Sequence, residues 1–112
     1  MNRRRFILVA VAEMALVGSA DADEAVRISL RVAGGKLVEG PSVIRLKRNA
    51  AVVLTVVADA ADELHIHGYN LQLKLSPDQP GTLSFVAKRT GRFMLELHRA
   101  DTELGALEVY PE

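Results

Sequence analysis

Alternation of apolar and polar residues is the main regular pattern after residue 22. From Val26 to Val32 every second residue is apolar, which is the pattern of a strand with one buried face. Further short strands are predicted at 43–47, 82–87, 92–98 and 104–110, with Gly- and Pro-containing turns between several of them. Their spacing is near the roughly 8–12 residues typical of a sandwich or barrel. Because no helical period of useful length follows residue 22, the pattern predicts an all-β fold.

Two central segments depart from simple alternation. Residues 51–58 form a nearly continuous β-branched run, which predicts a strand covered on both faces. Residues 64–75 contain one or two strands interrupted at Gly68, where the apolar positions change parity. A one-residue bulge at this glycine would produce the change. With or without the bulge, Glu63, His65 and His67 share one strand face.

The N-terminal 22 residues have the composition of a targeting segment. Arg3, Arg4 and Arg5 precede an apolar run at 6–12, and small residues at 20 and 22 resemble a cleavage site. The order Arg3-Arg4-Arg5-Phe6-Ile7 also resembles a twin-arginine export signal. We predict an export signal at 1–22 and one folded domain at 23–112, in a periplasmic or secreted bacterial protein. The alternatives are a frayed N-terminal helix and an uncleaved anchor.

Overall composition excludes several classes of function. Apolar residues make up 49% of the chain, charged residues 25%, and the formal net charge is zero, as in an ordinary globular protein. No basic surface for nucleic acid is indicated. The absence of cysteine excludes disulfides, thiolate metal sites and a cysteine nucleophile. The apolar run at 6–18 is shorter than the about 20 residues of a membrane span, so we expect no span in the mature chain.

All three histidines fall in two of the predicted strand segments: His65 and His67 in one and His98 at the end of the other. Imidazole is a common metal ligand, and alternate strand residues are about 6.6 Å apart, close enough to approach one ion. Glu63 lies two residues before His65, and Glu96 lies two residues before His98. Each glutamate is therefore expected on the same strand face as its neighbouring histidine, where it could add an oxygen ligand. Imidazole and carboxylate suit copper, zinc or nickel, and the general affinity order favours Cu(II). The alternative is a solvated strand face without a metal.

Four motifs in order resemble those of cupredoxins. They are His67-Gly68-Tyr69, residues 80–85 (PGTLSF), Gly91-Arg92-Phe93 and residues 105–109 (GALEV). The resemblance covers about residues 60–112 and is strongest to bacterial cupredoxin-like domains and to the copper domains of cytochrome oxidase subunit II and nitrous oxide reductase. It implies a Greek-key β-sandwich of about seven or eight strands, with His67 as the first copper ligand.

The chain departs from that family at the remaining ligands. The expected cysteine falls at Leu97, and the axial methionine falls near Glu103 or Leu104. Blue copper requires a cysteine thiolate, so the resemblance implies a histidine-only site of His65, His67 and His98 at one end of the sandwich.

We expect a protein that holds or delivers copper, or another divalent metal ion, rather than one that transfers electrons. We do not expect an enzyme, since no base or substrate pocket can be named. The partners would be the metal ion and a periplasmic protein. The alternative is a metal-free interaction or structural domain.

Overall fold

The computed structural model describes residues 24–112, which form nine strands and no helix. The predicted export signal at 1–22 lies outside the described residues. The strands are β1 (Val26–Ala33), β2 (Lys36–Glu39), β3 (Val43–Lys47), β4 (Ala51–Ala58), β5 (Asp62–Ile66), β6 (Leu71–Leu75), β7 (Gly81–Val86), β8 (Gly91–Leu97) and β9 (Thr102–Tyr110). Between residues 24 and 112 there is no helix of the length and apolarity that crossing a membrane requires.

The strands form two sheets that pack face to face. One sheet has the order β2-β1-β4-β7 and the other has the order β3-β9-β8-β5-β6. The chain passes repeatedly from one sheet to the other, and β1/β4 and β3/β9 pair in parallel. The predicted all-β sandwich is confirmed. It has nine strands, one more than the upper number expected, because the four-residue β2 forms a hairpin with β1.

The core lies between the two sheets and is built from one face of each strand. On β4, Val52, Leu54 and Val56 are at most 2% exposed, whereas Val53 and Val57 are half-buried. The prediction of a strand covered on both faces is therefore wrong, because β4 is fully buried on one face only. β-Branched residues favour strands even at such half-exposed positions, because they fit a pleated surface.

Gly68 lies in the turn of a hairpin rather than at a bulge. β5 and β6 pair in antiparallel register, with Ile66 opposite Leu71, and the Tyr69 amide donates to the Ile66 carbonyl at 3.3 Å. The apolar residues have even numbers on β5 and odd numbers on β6, because the two strands pair across a hairpin turn. The predicted bulge is therefore wrong. The β8–β9 pairing does contain an irregularity, where the register shifts between Leu95 and Glu96.

Candidate metal site on the five-stranded sheet

The three histidines lie together on the outer face of the five-stranded sheet. Leu64 and Ile66 are at most 1% exposed in the core, so His65 between them points outward. The ring centroid of His65 is 6.4 Å from that of His67 and 5.3 Å from that of His98. The sequence predicted one cluster, and the structure forms one. Its expected position at an end of the sandwich is wrong, because strand alternation places His65 on a sheet face.

A glutamate carboxylate contacts each of two rings. His65 Nε2 lies 2.9 Å from Glu63 Oε1, and His67 Nε2 lies 2.6 Å from Glu96 Oε1. The His65 side chain is 23% exposed and that of His67 is 54% exposed. In a neutral ring, an Nε2–H that donates to the carboxylate leaves Nδ1 with a free lone pair. In that tautomer the carboxylates hold both rings by Nε2 and leave Nδ1 free to accept a hydrogen bond or to act as a ligand.

The rings of His65 and His98 are stacked, with an angle of 7° between their planes. Nitrogen lone pairs lie in the ring plane, so two nearly parallel, stacked rings do not direct them at one point. Consistent with this, no three or more His, Cys, Asp or Glu side chains within residues 24–112 are placed so that they could hold a metal ion together. The donor atoms suit copper chemically, but with the rings in these orientations they do not converge on one point.

Asp62 fixes the loop that carries His98. Its Oδ1 accepts hydrogen bonds from the amides of Glu63 and Arg99, each at 2.7 Å, and its Oδ2 accepts one from the Ala100 amide at 3.1 Å. Burial raises the pKa of the Asp62 carboxyl, but the three amide hydrogen bonds and the positive charge of Arg99 together outweigh burial and lower the pKa. The His98 amide in turn donates to the Glu63 carbonyl at 2.9 Å. The sequence alone did not predict this role.

The positions that would complete a blue-copper site carry no suitable ligand. Leu97, at the expected cysteine position, is 1% exposed in the core and pairs with Leu64. Leu104 is 7% exposed and also belongs to the core. Because both side chains are part of the packing between the sheets, a blue-copper centre does not fit this chain.

A pocket of about 400 Å³ opens beside the histidines. Its polar lining side chains are those of His65, His67, Asn70, Gln72 and Arg89. Gln72 lies opposite His65 in the β5–β6 pairing. Arg89 comes from the loop between β7 and β8. Sequence reasoning missed it because only the sandwich packing brings that loop to the turn at Gly68.

Comparison with known proteins gives a consistent result for the fold. No family model and no curated protein matches the chain. Among solved structures, 230 chains match. A chain of a heme-copper terminal oxidase dimer has a TM-score of 0.63 and 16% identity, over 78% of this chain and 66% of that one. A copper-binding protein in the apo form has a TM-score of 0.57 and 13% identity, over 76% of this chain and 96% of that protein.

A variant of amicyanin in the oxidized state has a TM-score of 0.54 and 15% identity, over 76% of this chain and 81% of amicyanin. The protein has a cupredoxin-like fold. Because these identities are low, the similarity establishes the fold of the domain alone. The domain spans just under two thirds of the oxidase chain that it matches.

Proposed function

We propose that this cupredoxin-like domain binds one copper ion through His65, His67 and His98, and holds or delivers it without blue-copper electron transfer. The observation that carries the proposal is the distance of the His65 ring from the other two, 5.3 and 6.4 Å between centroids. With metal–nitrogen bonds of about 2.0–2.1 Å, two imidazoles that share an ion have centroids roughly 4.5–6.5 Å apart. The rings are therefore close enough to share an ion after rotation about their side-chain bonds.

The glutamates support this proposal in a second way. Metal-bound histidines usually donate the other ring N–H to a carboxylate, which fixes the tautomer and raises the basicity of the ligand. Glu63 and Glu96 already occupy that position at Nε2 of His65 and His67. Bound copper would supply a single positively charged centre, while the carboxylates hold the two rings in the tautomer that binds it.

Calorimetric titration with Cu(II) tests the site. We expect the wild-type protein to take up one copper ion per chain and the triple variant His65→Ala/His67→Ala/His98→Ala to take up none. Gln72→Ala, at the position opposite His65, is the control that alters the same surface without removing an imidazole. Circular dichroism verifies that each variant is folded. Stoichiometric uptake by a folded triple variant would reject the site.

A metal-free interaction domain is the second candidate. It is supported by the stacking of His65 on His98 and by the two His–Glu contacts, which already provide partners for these rings without a metal. The same titration separates the two functions, because a metal-free domain would bind copper only weakly and His67→Ala would not change the affinity. Titration with zinc and nickel shows whether copper is preferred, as the general affinity order predicts.

Export and the absence of catalytic activity belong to the same proposal. A copper-holding domain outside the cytoplasm, periplasmic or secreted, fits the signal-like composition of residues 1–22. Its partners would be the metal ion and a periplasmic protein that receives or supplies it. Fractionation of cells that express the full chain, with mass spectrometry of the N-terminus, tests export and cleavage after Ala22.

A further inference from the structure

The pocket beside the histidines has a lining suited to an anion. Its charged lining side chain is the guanidinium of Arg89, and the remaining polar side chains are two imidazoles and the amides of Asn70 and Gln72. Glu63 and Glu96 are not among the lining residues and are engaged by the histidines. The pocket volume of about 400 Å³ is within the range of small-molecule sites.

Arg89 is held at this pocket by contacts that reach the core. The Tyr69 hydroxyl accepts from the Arg89 amide at 2.9 Å and donates to the Arg89 carbonyl at 2.8 Å. The Tyr69 ring packs edge-on against Phe93, with centroids 4.8 Å apart. The Arg89 guanidinium donates from Nη1 to the Gly68 carbonyl at 2.7 Å. The backbone and the guanidinium of Arg89 are thus both fixed beside the same turn.

The turn itself is restricted to its present shape. Gly68 has a φ of +86°, and a Cβ at this position would lie 2.4 Å from Cδ1 of Phe93. Within residues 24–112, no carboxylate forms a salt bridge with Arg89. The Arg89 guanidinium is thus held in place at the pocket without a carboxylate partner among the described residues, beside the side-chain amides of Asn70 and Gln72.

From these contacts we propose that the pocket binds a small oxyanion ligand through a carboxylate or phosphate group. The planar guanidinium of Arg89 pairs with two oxygens of such a group, and the side-chain amides of Asn70 and Gln72 donate to lone pairs that the guanidinium leaves free. Binding requires no copper, since none of these three groups belongs to the proposed metal site. The inference therefore goes beyond the proposed function and stands or falls separately from it.

Calorimetry with metal-free protein tests the proposal, with citrate and inorganic phosphate as separate probes at constant ionic strength. We expect saturable binding of at least one probe, weakened about tenfold or more by Arg89→Gln, the loss of one charge-assisted pair. Lys88→Gln is the matched control, because it removes the same charge from the same loop outside the pocket lining. Tyr69→Phe should weaken binding several-fold, since it keeps the guanidinium but removes the two hydrogen bonds between the Tyr69 hydroxyl and the Arg89 backbone.

The two probes distinguish a carboxylate ligand from a phosphate ligand. The absence of saturable binding by both would overturn the proposal, and so would equal losses in Arg89→Gln and Lys88→Gln, which would indicate general charge attraction. If Arg89→Gln does not fold, the proposal is tested on the wild-type protein by NMR, through the chemical shifts of the side-chain amides. Shifts at Asn70 and Gln72 on addition of the probe support the pocket, and shifts confined to other residues refute it.

Discussion

The imidazole of His98 stacks on that of His65, with centroids 5.3 Å apart and ring planes within 7° of parallel. Two backbone relationships produce this contact. Leu97 pairs with Leu64 at the end of the β5–β8 ladder, and the His98 amide continues the ladder by donating to the Glu63 carbonyl. The stack therefore follows from strand register, and an ion shared by the two rings would require at least one of them to rotate out of the parallel arrangement.

Copper uptake should depend on pH. Protonated imidazole does not bind metal, so protons compete with the ion for each ring nitrogen. We expect the apparent affinity for Cu(II), measured by calorimetry at several pH values, to fall as the solution is made acidic. An affinity that stays constant from pH 7 down to pH 5 would contradict histidine ligation and indicate carboxylate ligands instead.

The copper-loaded protein should lack the intense absorption of a blue-copper site. That band requires a cysteine thiolate ligand, and the chain contains no cysteine. We expect only weak visible absorption, together with nitrogen couplings from imidazole in the electron paramagnetic resonance spectrum. Loss of those couplings in the triple histidine variant is the control, and a spectrum without nitrogen couplings in the wild-type protein would contradict the assignment.

Asp62→Asn should destabilise the fold by about 1–2 kcal/mol, because an amide cannot accept all three backbone hydrogen bonds with the strength of a carboxylate. Asp101→Asn in the same loop is the matched control. Its φ of 56° is one that asparagine tolerates, so we expect almost no change. Urea denaturation measures both variants, and equal losses would show that Asp62 has no special role.

The stabilisation by Asp62 should also depend on pH. The amide hydrogen bonds hold the folded-state pKa below the ordinary value of 3.8, so this stabilisation is present above that value. It is lost as pH falls through the lower, folded-state pKa. The difference in unfolding free energy between wild type and Asp62→Asn should therefore shrink in acid below about pH 3.8, and a difference that grows in acid would contradict the direction of the shift.

Gly68→Ala should cost more stability than Gly34→Ala, although both glycines have positive φ. A Cβ at Gly34 has no neighbouring atom within 4 Å, whereas one at Gly68 would lie 2.4 Å from the Phe93 ring. We expect about 1–2 kcal/mol for Gly34→Ala from the left-handed backbone alone. For Gly68→Ala we expect about 2–5 kcal/mol, because overpacking adds to that cost. Similar denaturation midpoints for the two variants would refute the contact with Phe93.

Most strands were predictable because their pattern is local. The alternation from Val26 to Val32 corresponds to β1, and the short strand predicted at 43–47 corresponds to β3. The four residues of β2 offered too short a pattern to identify. The open outer face of β4 was missed because a β-branched run has the same composition whether one or both faces are covered.

The sequence by itself determined an all-β domain and a resemblance to cupredoxins. It also determined that the cysteine ligand of blue copper is absent. Residue identity and period-two alternation are sufficient for these conclusions. Only the tertiary structure decided that His98 stacks on His65, that Asp62 holds the loop after β8, and that Arg89 reaches the pocket at Gly68. Each of these contacts joins residues from different strands or loops, so it depends on strand pairing and on the packing of the two sheets, which local sequence does not encode.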